Sequence, residues 1–314
     1  MTFRERLIKV SNNSRRRDLL EQTQSHLRRL DLKARKKLGQ HFLVDAEALA
    51  TMASAAELKA DDIVIEVGPG LGVLTEELVK QAGGVIAVEL DDRLAEILKK
   101  KLSAVPNFTV VNRDILKVTP QELLSEQVAV NTLGGKPLSY KVVANLPYYI
   151  TAAVLRYFLE ALPQPSVIVV MVQKEVAEAI AARQGKMSLL SVSVHFYGNP
   201  EIVRIVPSAS FYPPPEVDSA ILKIKIYDKP RLDVVDIDGF FNLIRAGFTA
   251  SRKQLPNSLA QGLKCTKEEV VSLLEEAQID LKRRAETLSL EEWGKLWEIY
   301  GRLNSVDDLC ARQD

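Results

Sequence analysis

The segment Asp62–Gly72 constrains the fold of this chain more than any other stretch. Its run Ile63–Val67 is typical of a buried parallel strand, and glycines follow at positions 68, 70 and 72. A strand that breaks into a glycine-rich turn and continues as a helix lets the backbone approach a ligand closely, as nucleotide-binding loops do. The segment therefore predicts a βα unit of a doubly wound sheet with a ligand at the turn. A tight strand-to-helix turn without a ligand is the alternative interpretation.

Three later apolar runs also end in polar residues, namely Glu89, Asp114 and Asn145. Glu89 lies 21 residues after Gly68, where a doubly wound fold places an acid that accepts hydrogen bonds from both ribose hydroxyls. Asp114 is placed to accept from an adenine amino group. Each acid alone is compatible with a solvated charge at a strand end, but the four strand ends together predict one nucleotide site.

The turn Asn145-Leu-Pro-Tyr148 carries the groups that methylation of an amino group needs. The exocyclic amine of a base is a poor nucleophile because its lone pair is delocalised into the ring, so acceptors must favour a pyramidal nitrogen. Asn145 supplies a side-chain acceptor, and Pro147 restricts Leu146 to extended conformations that aim its carbonyl as a second acceptor. Tyr148 offers a ring face for stacking. An ordinary Asn-Pro turn with a surface tyrosine is the alternative.

Strand signals at 166–171, 202–206 and 219–226 bring the predicted sheet to seven strands, and the pattern after residue 229 is helical. The length of 314 residues suits two domains, since single cores stop growing near ~250–300 residues. We therefore expect an α/β chain divided into a basic N-terminal arm at 1–35, a sheet domain at 36–228 and an all-helical domain at 229–314.

The net charge of +1 hides a strong asymmetry. Residues 1–40 contain twelve Lys and Arg against four acids, a net +8, so the rest of the chain carries −7. Such a basic arm is a plausible phosphate-binding surface, although a solvated tail or an organelle transit peptide is the alternative. A helical pattern through Leu19, Leu20, Leu27 and Leu30 argues against the transit peptide.

The sequence gives no sign of a metal site or a membrane span. Cys265 and Cys310 lack metal-ligand spacing, and His26, His41 and His195 form no cluster. No run approaches the ~20 apolar residues of a spanning helix, and no signal peptide pattern is found. We expect a cytoplasmic protein without a metal.

The motifs resemble those of the ribosomal RNA adenine dimethyltransferases, S-adenosylmethionine-dependent enzymes that convert adenines to N6,N6-dimethyladenine. The resemblance covers roughly residues 36–293. Its landmarks are KLGQHFL (37–43), IEVGPGLG (65–72), VEL (88–90), NRD (112–114), NLPYYI (145–150), MVQKEVA (171–177), SFYPPPEVDSA (210–220), FTASRKQLPNSL (248–259) and RRAETLSLEE (283–292). A dinucleotide-binding dehydrogenase would explain only the glycines and Glu89.

The resemblance implies a seven-stranded Rossmann-like S-adenosylmethionine-dependent methyltransferase sheet plus a small C-terminal all-helical domain. The implied contacts to the methyl donor are His41, Leu43, Gly68, Glu89, Asp114 and Asn145. The expected catalytic set is Asn145, Leu146, Pro147, Tyr148 and Phe211, with Tyr148 and Phe211 stacking a flipped adenine. RNA contacts are expected from Arg35, Lys36, Lys37, Arg252 and Lys253. Position 41 is His where the commonest family pattern has Asn, and the segment 182–191 lacks a Tyr-Gly step that the family leads us to expect.

The expected substrate is small-subunit ribosomal RNA within a 30S assembly intermediate, with two adjacent adenines near the 3′ end of 16S RNA as targets, and the enzyme is expected to be a monomer. The nearest alternative is a 23S ribosomal RNA adenine methyltransferase of the antibiotic-resistance type, which the motifs at 248–259 and 283–292 disfavour. A ribosome assembly factor that only binds RNA would need neither Asn145 nor Glu89. A DNA adenine methyltransferase is disfavoured by the order of the motifs.

Overall fold

The computed structural model describes residues 18–29, 41–128, 139–182 and 185–310. In chain order the elements are α1 (18–29), β1 (Phe42–Leu43), α2 (Ala46–Ala55), β2 (Ile63–Val67), α3 (Val73–Leu78), β3 (Gly84–Val88), α4 (Asp92–Lys101), β4 (Phe108–Val111), α5 (Pro120–Val128), β5 (Tyr140–Asn145), α6 (Thr151–Glu160), β6 (Val167–Gln173), α7 (Lys174–Ala181), α8 (Leu189–Tyr197), β7 (Gly198–Val206), β8 (Phe211–Tyr212), β9 (Ser219–Ile226), α9 (Ile237–Phe248), α10 (Leu255–Leu263), α11 (Lys267–Glu276) and α12 (Leu290–Cys310). Short 3₁₀ turns lie at Ile115–Lys117, Tyr148–Ile150, Ser208–Ser210 and Ala285–Thr287.

The described residues form two compact units. The first contains those up to Ala177 together with Pro200–Ile226, and the second contains Glu178–Asn199 and those from Tyr227 onward. The C-terminal part of the second unit begins at Tyr227, close to the predicted boundary at 229. The unit also contains α8, which we had predicted to belong to the sheet domain.

The first unit is built on a seven-stranded sheet in the order β4-β3-β2-β5-β6-β9-β7, which confirms the predicted fold class. Neighbouring strands from β4 to β6 are parallel, whereas β9 runs antiparallel to β6. Strands β2, β3 and β6 are buried along almost their whole length, which explains their continuous apolar sequences. The chain runs from β2 outward to β4 and returns to β5 beside β2. Open parallel sheets bind ligands at the carboxyl ends of strands next to such a reversal.

Two short strands fasten the segment before α2 to the segment before β9. Leu43 in β1 pairs with Phe211 in β8, and the Val44 N–H donates to the Ser210 carbonyl at 2.8 Å. Asp45 caps α2, and one of its oxygens accepts from Ser210 Oγ at 2.7 Å. Residues distant in sequence thus share one small ladder, which we call the β1–β8 clasp.

Helix α1 lies within the predicted basic arm, where the leucine pattern predicts a helix. Leu27 and Thr23 are buried, while Arg28 and Arg29 are exposed. The helix is therefore amphipathic, with an apolar face against the first unit and a basic end in solvent.

The second unit is helical, as predicted. Trp293 is fully buried in α12, and a Cβ on Gly247 of α9 would lie 2.4 Å from its ring, so glycine permits the close approach of these helices. The landmark RRAETLSLEE has a structural explanation, because Arg283 donates to Glu292 Oε2 at 3.0 Å while that oxygen also accepts from the Ser289 N–H at 2.7 Å. These bonds fix the start of α12.

Candidate active site

A cavity of about 250 Å³ lies at the carboxyl ends of β2 to β5. Its wall includes β1, the turns after β2 and β5, and the residues that follow β3 and β4. Nine predicted site residues line it together: His41, Leu43, Gly68, Glu89, Asp114, Asn145, Leu146, Pro147 and Tyr148. The parallel order of the strands brings these distant positions to one edge of the sheet.

The glycine-rich turn shapes the floor of the cavity. Gly68 and Gly70 have φ of +66° and +58°, in the left-handed region that favours glycine. The Gly68 N–H donates to the Val88 carbonyl at 2.9 Å, which joins the turn to the end of β3. The Gly70 N–H donates to Glu89 Oε2 at 3.1 Å.

Glu89 is buried at the end of β3, with 6% of its surface exposed. Its Oε1 accepts from the Asp91 N–H at 2.9 Å, and Oε2 accepts from Gly70. Burial raises the pKa of Glu89, while these two N–H donors oppose that rise. Since each carboxylate oxygen has two acceptor sites, each oxygen of Glu89 retains one for a ligand hydroxyl.

Asp114 caps the 3₁₀ turn after β4, where its Oδ1 accepts from the Leu116 N–H at 3.1 Å. This bond fixes the carboxylate at the rim of the cavity. Its contact to an adenine ring stays a prediction.

Glu66 is a residue that the sequence prediction missed. It lies inside β2, lines the cavity and is 1% exposed, and its Oε2 has no hydrogen-bond partner among the described residues. Burial, followed by the repulsion of the nearby Glu89, raises the pKa of Glu66 to about 8. A buried carboxyl group without a partner carries a large desolvation cost. Such a group is suited to receive a cation or a hydrogen-bond donor of a ligand.

The turn after β5 is held on several sides. Asn145 Nδ2 donates to the His41 carbonyl at 3.2 Å, which leaves Oδ1 as the acceptor. The Leu146 N–H donates to Met171 O at 3.3 Å, continuing the ladder of β5 and β6. The Tyr148 hydroxyl bonds Ser219 Oγ at 2.7 Å, so the ring is anchored to the start of β9.

His41, the departure from the family pattern, contacts two parts of the site. Its ring stacks on Tyr148 with a centroid separation of 5.9 Å and an interplanar angle of 24°. Its Nδ1 lies 2.8 Å from the Pro213 carbonyl, which can only accept, so Nδ1 carries the proton. The histidine therefore connects the aromatic turn to the proline-rich loop.

The structure does not bring every predicted residue to the cavity. Phe211 is 3% exposed and packs in the core of the first unit, so its stacking role stays a prediction that requires the ring to become accessible. Tyr149, by contrast, lines the cavity and is 60% exposed. Its adjacency to Tyr148 in the sequence was the only signal for it.

The predicted RNA-binding residues fall into two groups. Arg252 and Lys253 are exposed in the turn between α9 and α10 of the second unit. Arg35, Lys36 and Lys37 lie outside the described residues.

The described part of the chain contains neither a membrane-spanning helix nor a cluster of metal ligands. No helix there is long and apolar enough to cross a membrane. No group of three or more His, Cys, Asp or Glu side chains in that part is arranged to hold a metal ion.

Comparison with known sequences gives one consistent result. A sequence model of the family "Ribosomal RNA adenine dimethylase" matches residues 31–300. The chain is 54% identical over 282 residues to the ribosomal RNA small subunit methyltransferase A of Dehalococcoides mccartyi strain 195, covering 90% of this chain and 94% of that protein. It is 43% identical over 279 residues to the protein of the same name from Clostridioides difficile, covering 88% and 94%.

Two solved structures share the fold over most of their length. The 23S rRNA methyltransferase ErmE aligns with a TM-score of 0.63 and 31% identity, covering 82% of this chain and 98% of that one. A dimethyladenosine transferase from Plasmodium falciparum aligns with a TM-score of 0.65 and 26% identity, covering 82% and 96%.

Proposed function

Because the chain belongs to the ribosomal RNA adenine dimethylase family, we propose that it dimethylates N6 of adenines in small-subunit ribosomal RNA, acting on two adjacent adenines near the 3′ end. It is an S-adenosylmethionine-dependent ribosomal RNA adenine dimethyltransferase. The observation that carries the proposal is a shared cavity: the nucleotide-type contacts of Gly68 and Glu89 and the amine-binding turn of Asn145 line the same space.

The residues of the cavity fit S-adenosylmethionine. Glu66 Oε2 is buried without a partner in the described structure, which suits the ammonium of the methionine part. Glu89 accepts from the ribose hydroxyls, and Asp114, at the rim of the same cavity, accepts from the adenine amine. Gly68 gives the backbone a close approach to the ligand. When bound, the donor supplies a sulfonium methyl group that is open to nucleophilic attack.

Asn145 and Leu146 hold the target amine. The bond from Nδ2 to His41 fixes the side-chain amide of Asn145, so Oδ1 accepts from N6 without reorganisation. The Leu146 carbonyl accepts the second N6 hydrogen. Two acceptors favour a pyramidal nitrogen and align its lone pair for transfer, so positioning supplies most of the rate.

Tyr148 stacks the flipped adenine, and its bond to Ser219 fixes the ring plane. No strong base is required, because a methylated adenine nitrogen that has formed its fourth bond is far more acidic than an ordinary ammonium and releases its proton to water. A pocket that contacts the base by its faces leaves room at the edge for a first methyl group. The same site therefore accepts the monomethylated base for a second transfer.

The small subunit is favoured over the large one by similarity. The relatives named small subunit methyltransferase A reach 54% identity, whereas the 23S enzyme ErmE reaches 31%. A factor that only binds RNA has no use for a buried Glu89 or an oriented Asn145. The enzyme acts in the cytoplasm as a monomer on a 30S assembly intermediate, where the 3′ end of the RNA is still accessible.

Mass spectrometry of small-subunit RNA tests this function. A strain that lacks the gene should lose N6,N6-dimethyladenine, and the wild-type gene should restore it. Asn145→Ala should fail to restore it at equal protein level, whereas the control Asn199→Ala, at an exposed position, should restore it fully. Dimethyladenine that persists in the deletion strain, or that appears only in large-subunit RNA, would refute the proposal.

A further inference from the structure

We propose that helix α1 is the outer support of the donor site, and that Leu27 positions the wall that contacts the donor. The inference rests on the proposed function in one respect: the cavity is taken to bind S-adenosylmethionine. It assigns to the basic arm a role in donor binding that its charge alone does not suggest.

Leu27 packs directly behind the cavity wall. It is 6% exposed and belongs to a small apolar cluster with Phe42, Leu71 and Leu94. All three partners also line the cavity. Only one layer of side chains therefore lies between Leu27 and the cavity.

A second contact lies two turns earlier on the same face. Leu19 packs against the larger cluster that contains Leu43 and Leu74, and both of these line the cavity. Thr23, between the two leucines, is 3% exposed. Residues 19, 23 and 27 follow the four-residue spacing of one helix face, so the helix covers about 12 Å of the wall at 1.5 Å per residue.

Of the three wall residues that pack with Leu27, Leu94 lies in α4, whereas Leu71 belongs to the glycine-rich turn and Phe42 to the clasp. Leu71 lies between Gly70 and Gly72, which have φ of +58° and +78°. Phe42 belongs to the two-residue strand β1, and its Cε1 lies 3.3 Å from the position that a Cβ on Gly70 would occupy. Short irregular segments have few internal bonds, so the side chains packed behind them determine their position.

The opposite side of the same wall is held by α4. Lys101 Nζ donates to the Leu71 carbonyl at 2.9 Å and pairs with Glu76 at 2.7 Å. Burial, followed by the positive charges of Lys101 and Arg29, lowers the pKa of His26. The end of α1 therefore lies close to Lys101. Leu71 is thus fixed through its carbonyl by α4 and through its side chain by Leu27.

The consequence is thermodynamic linkage between helix docking and donor binding. A donor that presses on Phe42 and Leu71 stabilises the docked helix, and the docked helix raises donor affinity by the same factor. Arg28 and Arg29 lie at the exposed end of α1. RNA phosphates that hold this end would favour donor binding through the same contact.

Leu27→Ala tests the positioning role in the full-length protein. Calorimetry should show a Kd for S-adenosylhomocysteine that is roughly 2- to 30-fold higher than in the wild type. The KM for S-adenosylmethionine should rise with it, while kcat at saturating donor stays unchanged. Leu27→Met, which conserves volume, should recover most of the affinity. Ser25→Ala, on the exposed face of the same helix, should behave as the wild type.

Hydrogen exchange of the wild-type protein gives a test that needs no variant. S-adenosylhomocysteine should slow exchange of the backbone amides of residues 18–29. Exchange that is equal with and without this ligand would overturn the proposal, as would an unchanged Kd in a folded Leu27→Ala protein. Failure of the wild type to bind either donor or product would instead refute the proposed function.

Discussion

Replacing Glu66 by Gln tests whether Oε2 of its carboxyl group, which lacks a partner in the described structure, receives the ammonium of the donor. With a pKa of about 8, the group is roughly nine-tenths protonated at pH 7 in the free protein. An ammonium held against it favours the carboxylate, so binding at pH 7 should release about 0.9 protons. Removing that proton costs on the order of 1 kcal/mol at pH 7, because the pKa lies about one unit above that pH. Donor affinity should therefore rise nearly tenfold between pH 6 and pH 7.

Titration calorimetry in two buffers with different ionisation enthalpies measures the released protons directly. The wild type should show the release with S-adenosylhomocysteine, and Glu66→Gln should show it reduced and bind the ligand more weakly. 5′-Methylthioadenosine, which keeps the ribose and adenine but lacks the amino acid, should give no release from Glu66 in either protein. The exposed Glu216→Gln serves as the matched control.

The free protein provides an independent check of the same carboxyl group. A folded-state pKa above the unfolded value means that ionisation opposes folding, and this penalty grows as the pH rises from about 4.5 toward 8. At pH 7 it amounts to about 3 kcal/mol, which Glu66→Gln should remove. Proton release equal to zero in the wild type, or a variant with wild-type affinity and unchanged stability, would show that Glu66 does not receive the ammonium.

Three further predictions concern neighbouring groups. Glu89→Ala should weaken binding of S-adenosylhomocysteine by about 1–3 kcal/mol in calorimetry, because two ribose hydroxyls lose their charged acceptor; an unchanged Kd would make Glu89 a bystander. Tyr148→Phe should lower the free energy of unfolding by about 1 kcal/mol, because the buried Ser219 hydroxyl loses its hydrogen-bond partner. Adding Ser219→Ala to this variant should then cost little further stability, and stability losses that add up would contradict the bond. Lys141→Met should destabilise the protein by about 2–3 kcal/mol in urea unfolding, because it leaves the carboxylate of Asp62, 2.8 Å from the lysine ammonium, without its ion-pair partner. The double variant with Asp62→Asn should recover most of this loss, and no recovery would refute the pairing.

The sheet and the main cavity were predictable because their signals are local and strong. The strands β2, β3, β4 and β5 are largely apolar, and they lead to Gly68, Glu89, Asp114 and Asn145 respectively. Parallel strands place all of these ends at one edge, so the site follows from the order of the strands. The helical pattern of the C-terminal residues was equally clear.

Other features depend on contacts that the sequence does not contain. Glu66 sits in an apolar run, and only its burial identifies it as a group without a partner. Strands β1 and β8 have two residues each, too few for any period, so the pairing of Leu43 with Phe211 gave no signal. The run Leu189–Tyr197 alternates apolar residues with Ser191, Ser193 and His195, so its pattern does not indicate a helix. Its place with the helical unit depends on packing of Phe196 against Phe240 and Phe241.

Helix α1 shows what the net charge of a segment leaves out. The basic residues of the arm led us to expect a phosphate-binding surface, and that role stays a prediction. The described helix also buries Leu27 behind the wall of the donor site and packs the partly buried Leu19 against the neighbouring core. The net charge of a segment therefore does not indicate which of its side chains pack against the core.

The β1–β8 clasp makes the two sides of the active site a single cooperative unit of opening. Leu43 lines the donor space, while Phe211 and Pro213 belong to the loop expected to meet the base. The backbone ladder joins Leu43 to Phe211, and the hydrogen bond between the His41 ring and the Pro213 carbonyl adds a side-chain link. Neither side can move far without breaking the shared ladder. We therefore expect the amides of Val44 and Tyr212, which face the opposite strand of the clasp, to exchange with solvent hydrogen at one common rate, and unequal rates in a site-resolved exchange experiment would contradict this. An enzyme that adds two methyl groups to one base would then release S-adenosylhomocysteine and weaken its contacts to the RNA in one opening motion.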